Sequence, residues 1–133
     1  ALNAKHDDPN TIGLRFFTSK FNLVYSSDTR YFKKIEEEYK GCDILILNVV
    51  YPFNNKENQL SSDDAVKIIN KVKPKLAIIT HFGIKMLKAD PLYEAREIQK
   101  KTGVQIISAK DGMVINHISY SAGLRQRTLT MYK

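Results

Sequence analysis

The stretch that most restricts the fold is residues 43–51, Asp-Ile-Leu-Ile-Leu-Asn-Val-Val-Tyr. It is apolar at nearly every position and does not alternate. A strand with one wet face would alternate with a period of two, so a continuous run fits a central strand covered on both faces. Residues 76–79, Leu-Ala-Ile-Ile, repeat the pattern and stop at Thr80-His81-Phe82-Gly83. Between the two runs stands Ser61-Ser62-Asp63-Asp64, a helix start with hydroxyl caps and acids near the positive end of the dipole. That helix is expected to run to Val72, to bury Ala65, Ile68, Ile69 and Val72, and to stop before Pro74. Buried strand, helix, buried strand reads as a parallel pair joined by a crossover helix.

The rest of the chain extends this unit. Residues 12–18 and 21–25 are aromatic and β-branched on either side of Ser19-Lys20, which predicts an antiparallel hairpin, although the turn lacks Asn-Gly chemistry. A helix is expected over residues 30–40, with Tyr31, Phe32, Ile35 and Tyr39 on one side and Gly41 as its stop. Residues 52–59 form a polar loop, and the segment from Gly83 to Lys88 a short helical turn. Asp90-Pro91 opens a further helix, cap followed by proline, with Leu92, Ala95 and Ile98 as its apolar stripe and Gly103 as its end. Residues 104–108 and 113–118 read as two short strands about the Asp111-Gly112 turn, and residues 119–133 as a tail or edge strand. The expected class is α/β, with a β-hairpin followed by alternating helices and strands on a mixed sheet.

At 133 residues the chain fits a single domain, residues 1–133, with 43% apolar residues. The longest apolar stretch, residues 44–53, is interrupted by Asn48 and Pro52 and falls short of the roughly 20 residues of a membrane span. A lone cysteine, Cys42, leaves no internal disulfide and fits a reducing cytoplasm, where a small buried residue is the expected role. Net charge is +7, divided as −2 over residues 1–66 and +9 over residues 67–133. Such a basic half suits a polyanionic or nucleic-acid substrate, or simply a solvated surface, since Lys67, Lys71, Lys73 and Lys75 are dispersed.

Three candidate chemical residues fall beside strand ends: His6 before the hairpin, Asp28 after it, and His81 after residues 76–79. A carboxylate and two imidazoles gathered at one end of a sheet suit a borderline metal such as zinc. Each also has a structural alternative. A lone histidine is often a satisfied structural residue, and Asp28 stands where it could cap the helix expected at residues 30–40. For His117 a surface role is the default.

The segments around these residues are more specific. They are His6-Asp7-Asp8-Pro9-Asn10-Thr11-Ile12-Gly13-Leu14-Arg15-Phe16, then Tyr25-Ser26-Ser27-Asp28-Thr29, then Asp43 to Asn48, Leu60 to Ala65, and Thr80-His81-Phe82-Gly83. In that order they resemble the C-terminal half of a metallo-β-lactamase-fold hydrolase, with ribonuclease Z, the tRNA 3′-processing endonuclease, among the similar members. The resemblance implies half of an αββα sandwich and two divalent metal ions, expected to be zinc, sharing a bridging carboxylate and a bridging water. By position Asp28 resembles that carboxylate and the catalytic residue. His6 resembles a ligand of one metal, and His81 a ligand of the other.

The departures from the family pattern are equally definite. Its His-x-His-x-Asp-His motif is absent, as the chain holds only His6, His81 and His117. The opening at Ala1, which leads at once into His6-Asp7-Asp8-Pro9-Asn10, reads as the interior of a longer protein. The resemblance therefore implies a fragment that is inactive alone. An apolar sheet face would then be covered by the missing half or by self-association. The glutamate and histidine dyad of ribonuclease Z would fall near Asn48 and Gln59, and neither can act as a general acid. A non-catalytic alternative is a receiver-like or nucleic-acid-binding α/β module. Residues 43–52 resemble a receiver strand superficially, with Asn48 in place of the phospho-accepting aspartate and Thr80 as its hydroxyl.

Overall fold

The computed structural model describes residues 1–117. Within them the order is β1 (Leu2–Asn3), β2 (Ile12–Phe17), β3 (Asn22–Tyr25), α1 (Ile35–Tyr39), β4 (Ile44–Asn48), α2 (Ser62–Val72), β5 (Leu76–Thr80), α3 (Ile84–Ala89), α4 (Pro91–Thr102) and β6 (Gln105–Ser108). The α/β class with a mixed sheet is as expected from the sequence: β1 to β3 are antiparallel, and β3 to β6 parallel. The hairpin closes without Asn-Gly because Thr18 binds across it. Its backbone N–H donates to the Phe21 carbonyl at 3.0 Å, and its hydroxyl accepts from the Phe21 N–H at 2.9 Å.

The helix signals act as read. At α2 the Ser61 hydroxyl accepts from the Asp64 N–H at 3.3 Å, while the Asp64 carboxylate accepts from the Ser61 N–H at 3.0 Å, a reciprocal cap. At α4 the Asp90 carboxylate accepts from the Leu92 N–H at 3.1 Å, and Gly103 ends the helix in the left-handed region at φ +71°.

Strand order in the sheet follows chain order, β1-β2-β3-β4-β5-β6. Receiver-like and flavodoxin-like sheets instead reverse direction at a switch point, so the receiver alternative fails on topology. The order also decides where the helices go. Successive right-handed crossovers that step the same way across a sheet place every helix on the same face. Most buried apolar residues accordingly form one cluster, in which Val24, Leu45, Leu47, Ala77 and Ile79 pack against Ile35, Tyr39, Ile68, Ile69, Met86 and Ile98. Arg15 on this face donates to the Glu38 carbonyl at 2.6 Å and the Lys40 carbonyl at 3.0 Å, closing the end of α1.

The opposite face carries its own apolar rows in register. One is Leu14-Tyr25-Ile46-Ile78-Ile107, and the next Phe16-Leu23-Ile44-Leu76-Gln105. The buried apolar residues of α1 to α4 all belong to the other side. Toward the hairpin this face opens to solvent, with Leu14 36% and Phe16 50% exposed.

Some sequence expectations change. Leu92, expected on the apolar stripe of α4, is 49% exposed, so the buried stripe is Ala95 and Ile98. The helix over residues 30–40 begins only at Ile35, because the backbone before it is committed elsewhere: the Arg30 N–H donates to the Lys5 carbonyl, and the Thr29 carbonyl accepts from the Leu60 N–H. Tyr31 and Phe32 still pack on the core, from a non-helical segment. Residues 113–116 form no strand; Met113 closes a turn onto the Lys110 carbonyl, and Val114 is 92% exposed. The pairing of β1 with β2 goes unannounced in the sequence. The tail or edge strand expected over residues 119–133 lies outside the described residues.

Candidate active site

The parallel strands β3, β4 and β5 end together, and the chain turns sharply as it leaves two of them. Ser27, after β3, has φ +58°, and His81, after β5, has φ +63°. Left-handed backbone is costly for residues with a Cβ, of order 1–3 kcal/mol, and persists where surrounding contacts enforce it. Around β3 those contacts run through Ser26, which is fully buried: its N–H donates to the Ile46 carbonyl, and its hydroxyl accepts from the Asn48 N–H at 3.0 Å. Around β5 the Thr80 carbonyl accepts from the Val49 N–H, and the Gly83 N–H donates to the Val50 carbonyl at 3.1 Å. A Cβ on Gly83 would lie 2.9 Å from that carbonyl oxygen, so glycine is required for the approach.

The two turns bring Asp28 and His81 together. His81 Nε2 lies 3.2 Å from Asp28 Oδ1, with the imidazole 53% exposed and the carboxylate 32% exposed. Asp28 does not cap α1, which starts seven residues later. Its Oδ1 instead accepts a 2.7 Å hydrogen bond from Asn48 Nδ2, and the same amide donates to the Tyr25 hydroxyl at 3.2 Å. Asn48 and Tyr25 are the residues that reading for ligands misses. The available signal was Asn48 itself, a polar interruption at the end of an otherwise apolar strand.

His6 is held beside this region but not in it. Lys5 is strapped to the Asp28 loop through Thr29, whose hydroxyl accepts from the Lys5 N–H at 2.9 Å. The ring nitrogen Nδ1 of His6 accepts from the Asp8 N–H at 3.1 Å, which leaves the proton of a neutral imidazole on Nε2. Among the described residues no three His, Cys, Asp or Glu side chains group so as to hold a metal ion. Asp28 and His81 therefore supply one oxygen and one nitrogen donor, a set suited to zinc but short of the four ligands of a closed site. Gln59 ends the 52–59 loop, and its side-chain carbonyl, like that of Asn48, is buried without a partner. Further out, Lys85 on α3 pairs with Glu57, tying that helix to the loop. Hydrogen bonding to Lys85, then to Tyr51, holds the Glu57 carboxyl below its usual range, and the Glu57 carboxylate raises the Tyr51 hydroxyl. His117 is not a plain surface residue, since its ring packs at a tilt of 48° against Phe21 with centroids 4.7 Å apart.

A family model, the beta-lactamase superfamily domain, matches residues 1–82. The uncharacterized protein MJ1374 of Methanocaldococcus jannaschii is 37% identical over 118 residues, covering 86% of this chain. The chain spans 44% of that relative's length. Among solved structures, the metallo-beta-lactamase fold protein YhfI from Bacillus subtilis superposes with a TM-score of 0.73 at 18% identity, over 84% of this chain and 46% of that one. Igni18, a metallo hydrolase from Ignicoccus hospitalis, gives 0.66 at 12% identity, over 86% and 49%. A long form RNase Z from yeast gives 0.60 at 22% identity, over 97% and 18%. At these identities the structural likeness establishes the fold, and the family match adds kinship: the chain belongs to the beta-lactamase superfamily and has the metallo-β-lactamase fold.

Proposed function

We propose that this chain contributes one side of a dinuclear metal site in a hydrolase, with Asp28 and His81 as ligands and zinc as the metal. The observation that carries the reading is the pairing of Asp28 Oδ1 with His81 Nε2 at 3.2 Å on a shared strand edge, within a superfamily match. Bound divalent cations would acidify a water and polarise the attacked ester or phosphodiester. Asp28 presents an anionic oxygen, and His81, half exposed, presents a nitrogen that can turn from Asp28 to a cation. His6 joins this set only if the Asp8 turn that occupies its Nδ1 is rearranged.

The remaining ligands are proposed to come from outside the chain, from the other part of a longer polypeptide or from a second copy seated on the apolar sheet face. The length of the relatives supports the first source, since the chain spans less than half of MJ1374. The basic half of the sequence supports a polyanionic substrate, nucleic acid included. No described helix is long and apolar enough to cross a membrane. The buried free thiol of Cys42 supports a cytoplasmic setting.

The test uses the protein at its natural full length, loaded with zinc and assayed on bis(p-nitrophenyl) phosphate and p-nitrophenyl acetate. Asp28→Ala and His81→Ala are each expected to lower turnover by at least about 100-fold, the scale of losing a metal that activates water. Undiminished turnover in both variants refutes the assignment.

A further inference from the structure

Asn48 has two properties that the ligand reading leaves unused. It is 3% exposed, yet its side-chain carbonyl Oδ1 has no hydrogen-bond partner. Its Nδ2 makes two donations, 2.7 Å to Asp28 Oδ1 and 3.2 Å to the Tyr25 hydroxyl. Those partners fix which end of the amide faces Asp28, because the reversed orientation would set a carbonyl oxygen against a carboxylate oxygen. A buried carbonyl without a donor is destabilising, whereas an apolar side chain of the same size would have nothing to leave unsatisfied. The asparagine is thus poorly suited to stabilising the strand and well suited to what its nitrogen does.

That nitrogen gives Asp28 a donor with no charge and no proton to transfer near neutral pH. His81 meets the same oxygen, but an imidazole can leave it for a cation, while an amide nitrogen is not a metal ligand. The strand holds the amide in place: the Asn48 N–H is bound to buried Ser26, and β4 pairs on both sides with β3 and β5. We propose that Asn48 is the positioning residue of the site, orienting the Asp28 carboxylate as an anion toward the cation it shares with His81. This rests on the reading of Asp28 as a metal ligand.

The experiment measures zinc affinity by competition with a chromogenic chelator, together with the metal-free melting temperature, on the full-length protein. Asn48→Leu is expected to melt at or above the parent temperature and to bind zinc roughly 10- to 100-fold more weakly, the usual cost of losing an outer-shell partner. Asn48→Ser, whose hydroxyl is too short to reach Asp28, is expected to show the same loss of affinity. Zinc affinity within twofold of the parent in both variants overturns the proposal. So does a fall in melting temperature that accompanies the affinity loss in both, which marks a merely structural role. Asp28→Ala runs in the same titration to separate the two levels. If it leaves zinc binding intact, the ligand reading fails; if it abolishes binding while both Asn48 variants keep theirs, only the role of Asn48 fails.

Discussion

On the helical side of the sheet, Val24, Leu45, Leu47, Ala77 and Ile79 are fully closed off by side chains from all four described helices. On the other side, Leu76 and Ile78 are also buried, at 1% and 7% exposed, but stand outside that cluster, while Phe16 at the hairpin stays half exposed. The difference cannot be traced to composition, since Leu45 and Ile46 are neighbours of equal hydrophobicity on opposite faces. It is set by topology: strands added in chain order stack their crossovers on one side of the sheet. The site shares this asymmetry, because Asn48 and Tyr25 lie on the face opposite the helices.

Substitutions on the two faces are the most direct way to break that comparison. In the isolated chain, Leu47→Ala should cost about 2–5 kcal/mol in urea denaturation, the range for a buried leucine. Phe16→Ser should change stability by under about 0.5 kcal/mol, as for an exposed position, and should lower self-association in analytical ultracentrifugation. Equal losses at both positions would show that the second face is also sealed within the chain.

The helical face should also betray itself at high pH. Burial pushes the Cys42 thiol up to about 11 and raises the Tyr39 hydroxyl, so both resist ionising in the fold. A raised folded value means the unfolded chain ionises first, so stability is complete below about pH 9 and falls as pH rises toward 11. Cys42 accounts for roughly 2 kcal/mol of loss by pH 11. Denaturation midpoints taken at pH 8, 9.5 and 11 would check this, and Cys42→Ala should flatten the decline.

A modest gain in stability sharpens the contrast between packing and site. Replacing His81 with glycine relieves left-handed strain at φ +63°. Metal-free stability should then rise by up to about 1 kcal/mol, the strain relieved less the added freedom of the unfolded chain. Zinc affinity should fall in the same variant. A destabilised His81→Gly protein would mean that the imidazole is structural.

How much of this was legible in the sequence depends on whether the signal was local. The apolar runs of β4 and β5, the reciprocal Ser61–Asp64 cap and the Asp90-Pro91 start each report their own conformation, and each formed close to where it was read. The start of α1 did not, because Arg30 and Thr29 spend their backbone groups on Lys5 and Leu60, which are distant in sequence. At the site, the meeting of Asp28 with His81 could be anticipated from parallel strands ending together. The tether from Asn48 to Asp28 could not, since it joins two strands through side-chain rotamers that no spacing encodes. The orientation of His6 was hidden for a similar reason, as its Nδ1 is taken by a turn two residues on.

The strand order that puts every described helix on one face also bears on the sequence of events during synthesis. Each new strand of this sheet pairs with the one made just before it, so the sheet can lengthen at a single growing edge as the chain emerges. Among the described strands, none has to wait for a distant partner or be inserted between two already paired. The helical layer closes behind that edge one crossover at a time, and pairing between consecutive elements favours rapid folding.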